Sequence, residues 1–285
     1  MRSLTEILAT GPILDPEEEA FVVFSQDIPS QSLGFIDEPA ATLDLSVAGH
    51  DLVIHHSRGL LTSSRKEGTT GAVVWKVTPL FAAWIASPTN FLFASSLLTP
   101  SSSILELGAG VSGIVALCLG PLVASYTATD QDYVLKLLRQ NIAENLDTVM
   151  PAKRKSGRGS KKQQGQLKGE GGSGGDRITT LQLDWETDAT SRLKPVDMIL
   201  SCDCVYNEAL IEPLNTTCAA ICRLKDDKDE PTLCLIAQQL RSPEVFETWL
   251  KSFHRYFHVW QVPDRMLGEG LKEGSGFVVH VGVVR

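Results

Sequence analysis

The sequence has no apolar run approaching the ~18 residues that a membrane-spanning helix needs. Its first residues, MRSLTEILATGPILDPEEE, also lack the cationic start, apolar middle and small-residue end of a secretory leader. The chain is therefore expected in the cytoplasm, with the nucleus as a second compartment, and without a membrane partner. Cysteine is scarce, at six, and its spacing matches no disulfide framework; thiols in such compartments stay reduced. Cys202, Cys204, Cys218 and Cys222 are of the right type for zinc, but without a C-x2-C pair they read as small buried hydrophobes. His254 and His258 in HRYFH stand four apart, which puts two imidazoles on one helix face, yet no third ligand accompanies them, so no metal is expected. Internal repeats are missing as well.

An excess of positive charge is also absent. Lys and Arg number 26 against 34 Asp and Glu, for a net charge of -8. The basic residues are unevenly spread: PAKRKSGRGSKKQQGQLKGEGGSGG, residues 151–175, holds seven of them and one acid among many Gly and Ser. Such a segment buries too little apolar surface to offset its ordering entropy and is expected to be a disordered loop. Without it the rest of the chain is six charges more negative. That is a poor surface for nucleic acid, so RNA contact is left to the loop alone, and a solvated insertion is the simpler reading of the loop.

With 285 residues, 43% hydrophobic and 21% charged, the chain can build one large core with additions. Residues 42–57 alternate apolar and polar on both sides of AGHD, which predicts a hairpin turning near Gly49. Residues 71–98 carry apolar positions at helical spacing, with Thr78 as the expected N-cap and Pro79 at the first helical position. From residue 102 strands alternate with helical patterns: SILEL, IVALCLG, SYTATD, DYVLKLLRQNIAENL, ITTLQLDW, VDMILSCD, a helix from about 208 to 223, TLCLIAQQ and PEVFETWLKSFHRY. FHVWQV and GFVVHVGVV follow. This order predicts βαβ units on a mostly parallel sheet finished by a reversed hairpin.

The first strand runs into Gly108, Gly110 and Gly113, a G-x-G-x-x-G turn opening a helix. Glycines there allow backbone to approach a ligand. Asp130 ends the next strand, where a carboxylate accepts hydrogen bonds from ribose hydroxyls. Both NAD and S-adenosylmethionine carry such a ribose. Glu106, two residues before the first glycine, favours a ligand bearing an ammonium and a sulfonium over a pyrophosphate. The hundred residues upstream of the loop point the same way.

ILELGAGVSG, TATDQ, LQLDW and DMILSCDCVYNE together resemble the seven-β-strand methyltransferases, and within them methyltransferase family 16, the protein lysine methyltransferases. ATDQ, VYNEALIEPL and QLRSPEVFETWL are closer still to the fungal ribosomal lysine N-methyltransferase type. The resemblance covers about residues 71–285. It implies a Rossmann-like, seven-stranded class I sheet with helices on both faces, preceded by a hairpin-bearing extension over 1–70 and interrupted by the 151–175 loop. It also implies S-adenosylmethionine as cofactor and a monomer acting on a protein, expected to be a basic ribosomal one.

Carried over, the family pattern implies that Gly108, Ala109 and Gly110 line the methionine end of the cofactor and that Asp130 holds its ribose. Trp75 in VVWKVT and Trp185 near the adenine would flank it, with Cys202 beneath. Glu186 stands where many relatives have glycine after the tryptophan. Asp203 and Tyr206 fit the D-x-x-Y tetrad: Asp203 would accept hydrogen bonds from the incoming ammonium and align it, and Tyr206 would flank the lysine stem. The N-P-P-[YF] tetrad of amide and base methylation is absent at 203–206. A nicotinamide-dependent dehydrogenase, or a non-catalytic binding module on the same fold, are the competing readings.

Overall fold

The computed structural model describes residues 3–30, 34–36, 41–57, 70–150, 177–225 and 230–285, so the 151–175 segment lies outside the described residues. Among the described residues, a seven-stranded sheet is built from β3 (Ser103–Leu107), β4 (Ser125–Asp130), β5 (Ile178–Gln182), β6 (Met198–Cys202), β7 (Leu233–Gln239), β8 (Phe257–Gln261) and β9 (Phe277–Val284). Their order is β5-β4-β3-β6-β7-β9-β8. The first five are parallel, and β9 runs antiparallel between β7 and β8. The order reverses at β3, so the carboxyl ends of β3, β4 and β6 flank a topological switch point, where open α/β sheets collect ligands.

Helices cover both faces. On one lie α3 (Val77–Ile85), α5 (Ile114–Leu119) and α6 (Asp132–Val149), whose Phe81, Leu117 and Leu138 share a core with Leu200 and Val281. On the other lie α7 (Glu208–Cys222) and α8 (Pro243–Tyr256), whose Leu214, Phe246, Trp249 and Phe253 pack on Ile199 and Ile236. Helix α8 shows how sequence sets such an element. Ser242 caps it by accepting from Val245 N–H, and Pro243 takes the first position, where no N–H is needed. Apolar residues at 246, 249, 250 and 253 form one buried stripe, each burial stabilising by roughly 1.5–3 kcal/mol. The remaining α-helices among the described residues are α1 (Leu4–Leu8), α2 (Pro16–Phe24), packed on α8, and α4 (Phe91–Ala94).

The expected hairpin forms as β1 (Thr42–Val47) and β2 (His50–His55), turning at Ala48 and Gly49. Two asparagines one helical turn apart tie it to α6. Asn145 accepts from Val53 N–H and donates to Val53 C=O, and Asn141 does the same with His55. The buried amides thus pair the free edge of β2 as a neighbouring strand would.

Two local expectations are corrected. Helix α3 starts at Val77 with Lys76 as N-cap, so Thr78 is inside the first turn, its N–H bonded to Trp75 C=O, and Pro79 is third. The first turn has no intrahelical demand for N–H groups, so proline is tolerated there without defining the start. His254 and His258 do not share a helix face, because α8 stops at Tyr256 and His258 belongs to β8. His254 Nε2 lies 3.0 Å from Ile13 C=O. All six cysteines are buried and unpaired, and no group of three potential metal ligands occurs among the described residues. No helix among the described residues is long and apolar enough to cross a membrane.

Candidate functional site

The chain leaves β3 through a glycine turn that is stitched down on two sides. Ala109 N–H donates to Thr129 C=O at 3.0 Å, and Val111 N–H donates to Gly71 C=O at 2.8 Å. At Gly108, φ is +68°, and a Cβ would sit 2.5 Å from Cys204 Sγ and 3.1 Å from the Trp185 ring. Conformation and space both therefore exclude a side chain. Gly110 N–H donates to Asp130 Oδ2 at 2.8 Å, which fixes the turn against the end of β4.

This turn forms the floor of a cleft of about 380 Å³, within the range of small-molecule sites. All ten residues singled out from the sequence border it: Trp75, Glu106, Gly108, Ala109, Gly110, Asp130, Trp185, Cys202, Asp203 and Tyr206. Thr70, Gly71, Val73 and Asn207 also border it and were not foreseen. Thr70 and Gly71 sit in a single 3-10 turn and Asn207 caps α7, places too short or too terminal for periodicity to mark a facing residue. The KVTP stretch after Trp75 drew attention to a helix start and away from the wall before it.

Burial dominates the electrostatics. Glu106 is 2% exposed and accepts from Tyr126 OH at 2.8 Å. Burial pushes its carboxyl up to about 7, the Tyr126 bond pulls it down, and the charge of Asp130 adds to the rise. At neutral pH Glu106 is thus part protonated, so its power to repel a pyrophosphate is weaker than a full charge would give. Asp130 is raised to about 6 by burial, opposed by the N–H groups of Gly110 and Gln131, which donate to its two oxygens at 2.8 and 2.7 Å. Each oxygen keeps a second lone pair for another donor. Cys202, beneath the cleft, has its thiol raised well above the ordinary range by burial and stays protonated.

Asp203 has a partner that the sequence did not mark. Its side chain has no exposed surface, and both oxygens are held by Arg241: Nη1 to Oδ1 and Nη2 to Oδ2, each at 2.6 Å. Gln239 N–H adds a third donor at 3.2 Å. A bidentate guanidinium on a buried carboxylate is a strong, geometrically fixed pair, and with the Gln239 N–H it occupies three of the lone pairs of Asp203 while the residue still borders the cleft. The backbone agrees, since Asp203 is left-handed at φ +60°, with its N–H donated to Ala237 C=O at 2.7 Å. Such backbone strain persists where the surroundings over-determine it.

Tyr206 stands at the cleft mouth, 37% exposed, its hydroxyl accepting from Thr70 Oγ1 at 2.9 Å. Burial raises its phenol above the ordinary value. Trp75 donates through Nε1 to Thr70 C=O at 3.1 Å, with the Arg241 guanidinium 5.1 Å from its ring centre. Trp185 lies against Gly108, and its carbonyl accepts from Thr217.

A family model described as lysine methyltransferase matches residues 55–154 and 168–254. Among curated proteins, ribosomal lysine N-methyltransferase 5 of Vanderwaltozyma polyspora is 27% identical over 315 residues, covering 93% of this chain and 94% of that one. Its namesake from Zygosaccharomyces rouxii is 29% identical over 226 residues, covering 68% and 67%. A Schizosaccharomyces pombe protein named diaminohydroxyphosphoribosylamino-pyrimidine deaminase is 28% identical over 247 residues. The match takes in 85% of this chain but only about half, 52%, of that protein. Among solved structures, a putative SAM-dependent methyltransferase from Streptococcus mutans aligns over 87% of this chain and 57% of its own, at 9% identity and a TM-score of 0.48.

Proposed function

The chain belongs to the lysine methyltransferase family, and on that premise we propose that it is an S-adenosylmethionine-dependent protein-lysine N-methyltransferase acting on a basic ribosomal protein. One observation carries the reading. Trp75, the 106–110 turn, Asp130, Trp185 and the 202–206 stretch, five separate pieces of sequence, border a single cleft at the switch point of the sheet. The cleft suits a cationic nucleoside ligand. Asp130 has lone pairs left for ribose hydroxyls, and Glu106 is poised to ionise beside a positive group. Bound there, S-adenosylmethionine supplies an electrophilic methyl for in-line displacement.

The chain's own residues have to align and desolvate the acceptor rather than attack it. A lysine with its ordinary pKa of ~10.4 costs roughly 4–5 kcal/mol to deprotonate at pH 7. A free carboxylate at the acceptor would raise that cost by favouring the ammonium. With Arg241 on Asp203 that opposing charge is neutralised. Tyr206, protonated at neutral pH, offers its ring to the lysine stem and its oxygen to the nitrogen. Glu106, raised to about 7 by burial, is a cleft carboxyl whose protonation changes in the physiological range.

The shared name of the yeast relatives supports a ribosomal substrate, and the acidic body suits a basic one. We read residues 1–70 as an extension of a 71–285 catalytic domain acting as a monomer in the cytoplasm. The deaminase name of the S. pombe relative gives no second reading. This chain spans about half of that protein and contains neither the H-x-E nor the P-C-x-x-C of zinc-dependent base deaminases. Incubating the chain with methyl-labelled S-adenosylmethionine and a ribosomal fraction, followed by mass spectrometry, tests the proposal. Label is expected on lysine ε-nitrogens of a basic protein; label on RNA, or on no macromolecule, counts against it.

A further inference from the structure

Tyr206 is 37% exposed, and beside it lies a second cavity of about 30 Å³ bordered by Gln238, Gln239, Arg241 and Phe246, large enough for about one water. What fixes it is a closed ring of contacts. Arg241 grips Asp203 with two 2.6 Å bonds, and three residues of backbone lead from Asp203 to Tyr206. In the other direction, the guanidinium lies over Trp75, Trp75 Nε1 donates to Thr70 C=O, and Thr70 Oγ1 donates to the Tyr206 hydroxyl. Arg241 itself does not border the cleft, whereas Asp203, Tyr206, Thr70 and Trp75 do.

We propose that Arg241 is a positioning residue for methyl transfer: it sets the place of Tyr206 from both directions while touching neither cofactor nor acceptor. The inference rests on the methyltransferase reading above. Lysine cannot replace it in full, because one ammonium cannot serve both carboxylate oxygens in a planar fork and still lie flat over an indole. The N-terminal segment takes part. Ile36 N–H donates to Val74 C=O and Lys76 N–H to Gly34 C=O, which lays Gly34 directly on Gln239 and Arg241.

The test compares the full chain with Arg241→Met, Arg241→Lys and the double variant Asp203→Asn/Arg241→Met, which leaves no unpaired buried charge. Thermal stability and equilibrium dialysis of labelled S-adenosylmethionine are measured for each, with methyl transfer to a ribosomal fraction. Fluorotyrosine NMR reports Tyr206 itself, assigned by loss of its signal in Tyr206→Phe, with buried Tyr126 as internal control. The double variant is expected to regain the stability lost in Arg241→Met and to bind the methyl donor within about threefold of the full chain, while kcat stays down by at least about tenfold. The KM for the donor should not move, and the Tyr206 signal should shift while that of Tyr126 does not. Arg241→Lys should fall between. Recovery of transfer together with stability would reduce Arg241 to a structural ion pair and overturn the proposal. Faster transfer in Arg241→Met would also overturn it, by making Arg241 a plug that the acceptor displaces. If the unaltered chain does not bind the donor, the methyltransferase reading falls, and the fluorine signal still decides whether Arg241 places Tyr206.

Discussion

Asp203 and Arg241, 38 residues apart in sequence, meet in a two-bond ion pair whose carboxylate has no exposed surface. The pair ties the first residue of the D-x-x-Y tetrad to the segment after β7, while Tyr206, the last, borders the cleft with its hydroxyl on Thr70.

Asp203→Ala should therefore damage catalysis more than cofactor binding. Misplacing Tyr206 is expected to lower methyl transfer by about 100-fold, while the dissociation constant for S-adenosylhomocysteine stays within about threefold. The orphaned Arg241 is part exposed, so the loss of stability is expected at the low end for a broken buried pair, about 3 kcal/mol. Calorimetric binding and initial rates measured on the same preparation separate the two effects. Equal loss of both would show that Asp203 holds the cofactor directly.

Glu106 gives the cofactor site a pH dependence. Its carboxyl is raised to about 7 by burial, and a cationic ligand favours the ionised form. Affinity for S-adenosylmethionine should therefore rise with pH through about 7 and level off above it, falling by up to about tenfold per unit on the acid side. Asp130, raised to about 6, adds a second decline below that. Glu106→Gln should abolish the upper step and leave the lower one. A flat profile from pH 5.5 to 8.5 in the unaltered chain would contradict this account of the cleft.

His280 on β9 governs acid stability rather than chemistry. Neither ring nitrogen has a hydrogen-bond partner among the described residues, the side chain is fully buried beside Phe246 and Trp249, and burial lowers its pKa to about 3. The folded chain keeps it neutral while the unfolded chain protonates it below about 6.5. Stability contributed by the neutral ring is then full above 6.5 and lost as pH falls toward 3, by roughly 4–5 kcal/mol in total. His280→Leu should unfold at a lower pH than the unaltered chain. Denaturant titrations at pH 4.5 and 7.5 should show the substitution relatively more stabilising at the lower value, and the opposite order would refute it.

Gly34→Ala probes the cover over Arg241. A Cβ at Gly34 collides with Gln239 Oε1 and Arg241 Nη2, so one of them has to move. A loss of about 1–3 kcal/mol in stability is expected, with slower methyl transfer and little change in donor affinity. Unchanged turnover would mean that the N-terminal segment does not support the ring.

The strand and helix order of the sheet was legible because each element carries its own local signal. Short apolar runs such as SILEL and VDMILS end at or just before glycine or aspartate, and α6 and α8 show a clean helical stripe. The cleft residues were legible for a related reason, since the motifs fall at the carboxyl ends of consecutive strands and the fold gathers those ends. What the sequence did not reveal is long-range pairing. Arg241 follows β7 with no local mark of its partner at 203, and Tyr126 gives no hint of the Glu106 carboxyl that it bonds. The start of α3 was misread because Pro79 fits any position of a first turn, and the two histidines of HRYFH were misread because the helix gives way to β8 at Phe257. Asn141 and Asn145 looked like ordinary helix residues, and only the hairpin beside them shows why amides are needed there.

The most direct measurement is equilibrium dialysis of labelled S-adenosylmethionine against the full chain and against Asp130→Ala. The account predicts one saturable site, displaced by S-adenosylhomocysteine, with affinity lowered at least about tenfold in the variant, the scale expected when one hydrogen-bonded carboxylate is lost. No saturable binding to the unaltered chain, or binding that Asp130→Ala leaves untouched, would contradict it.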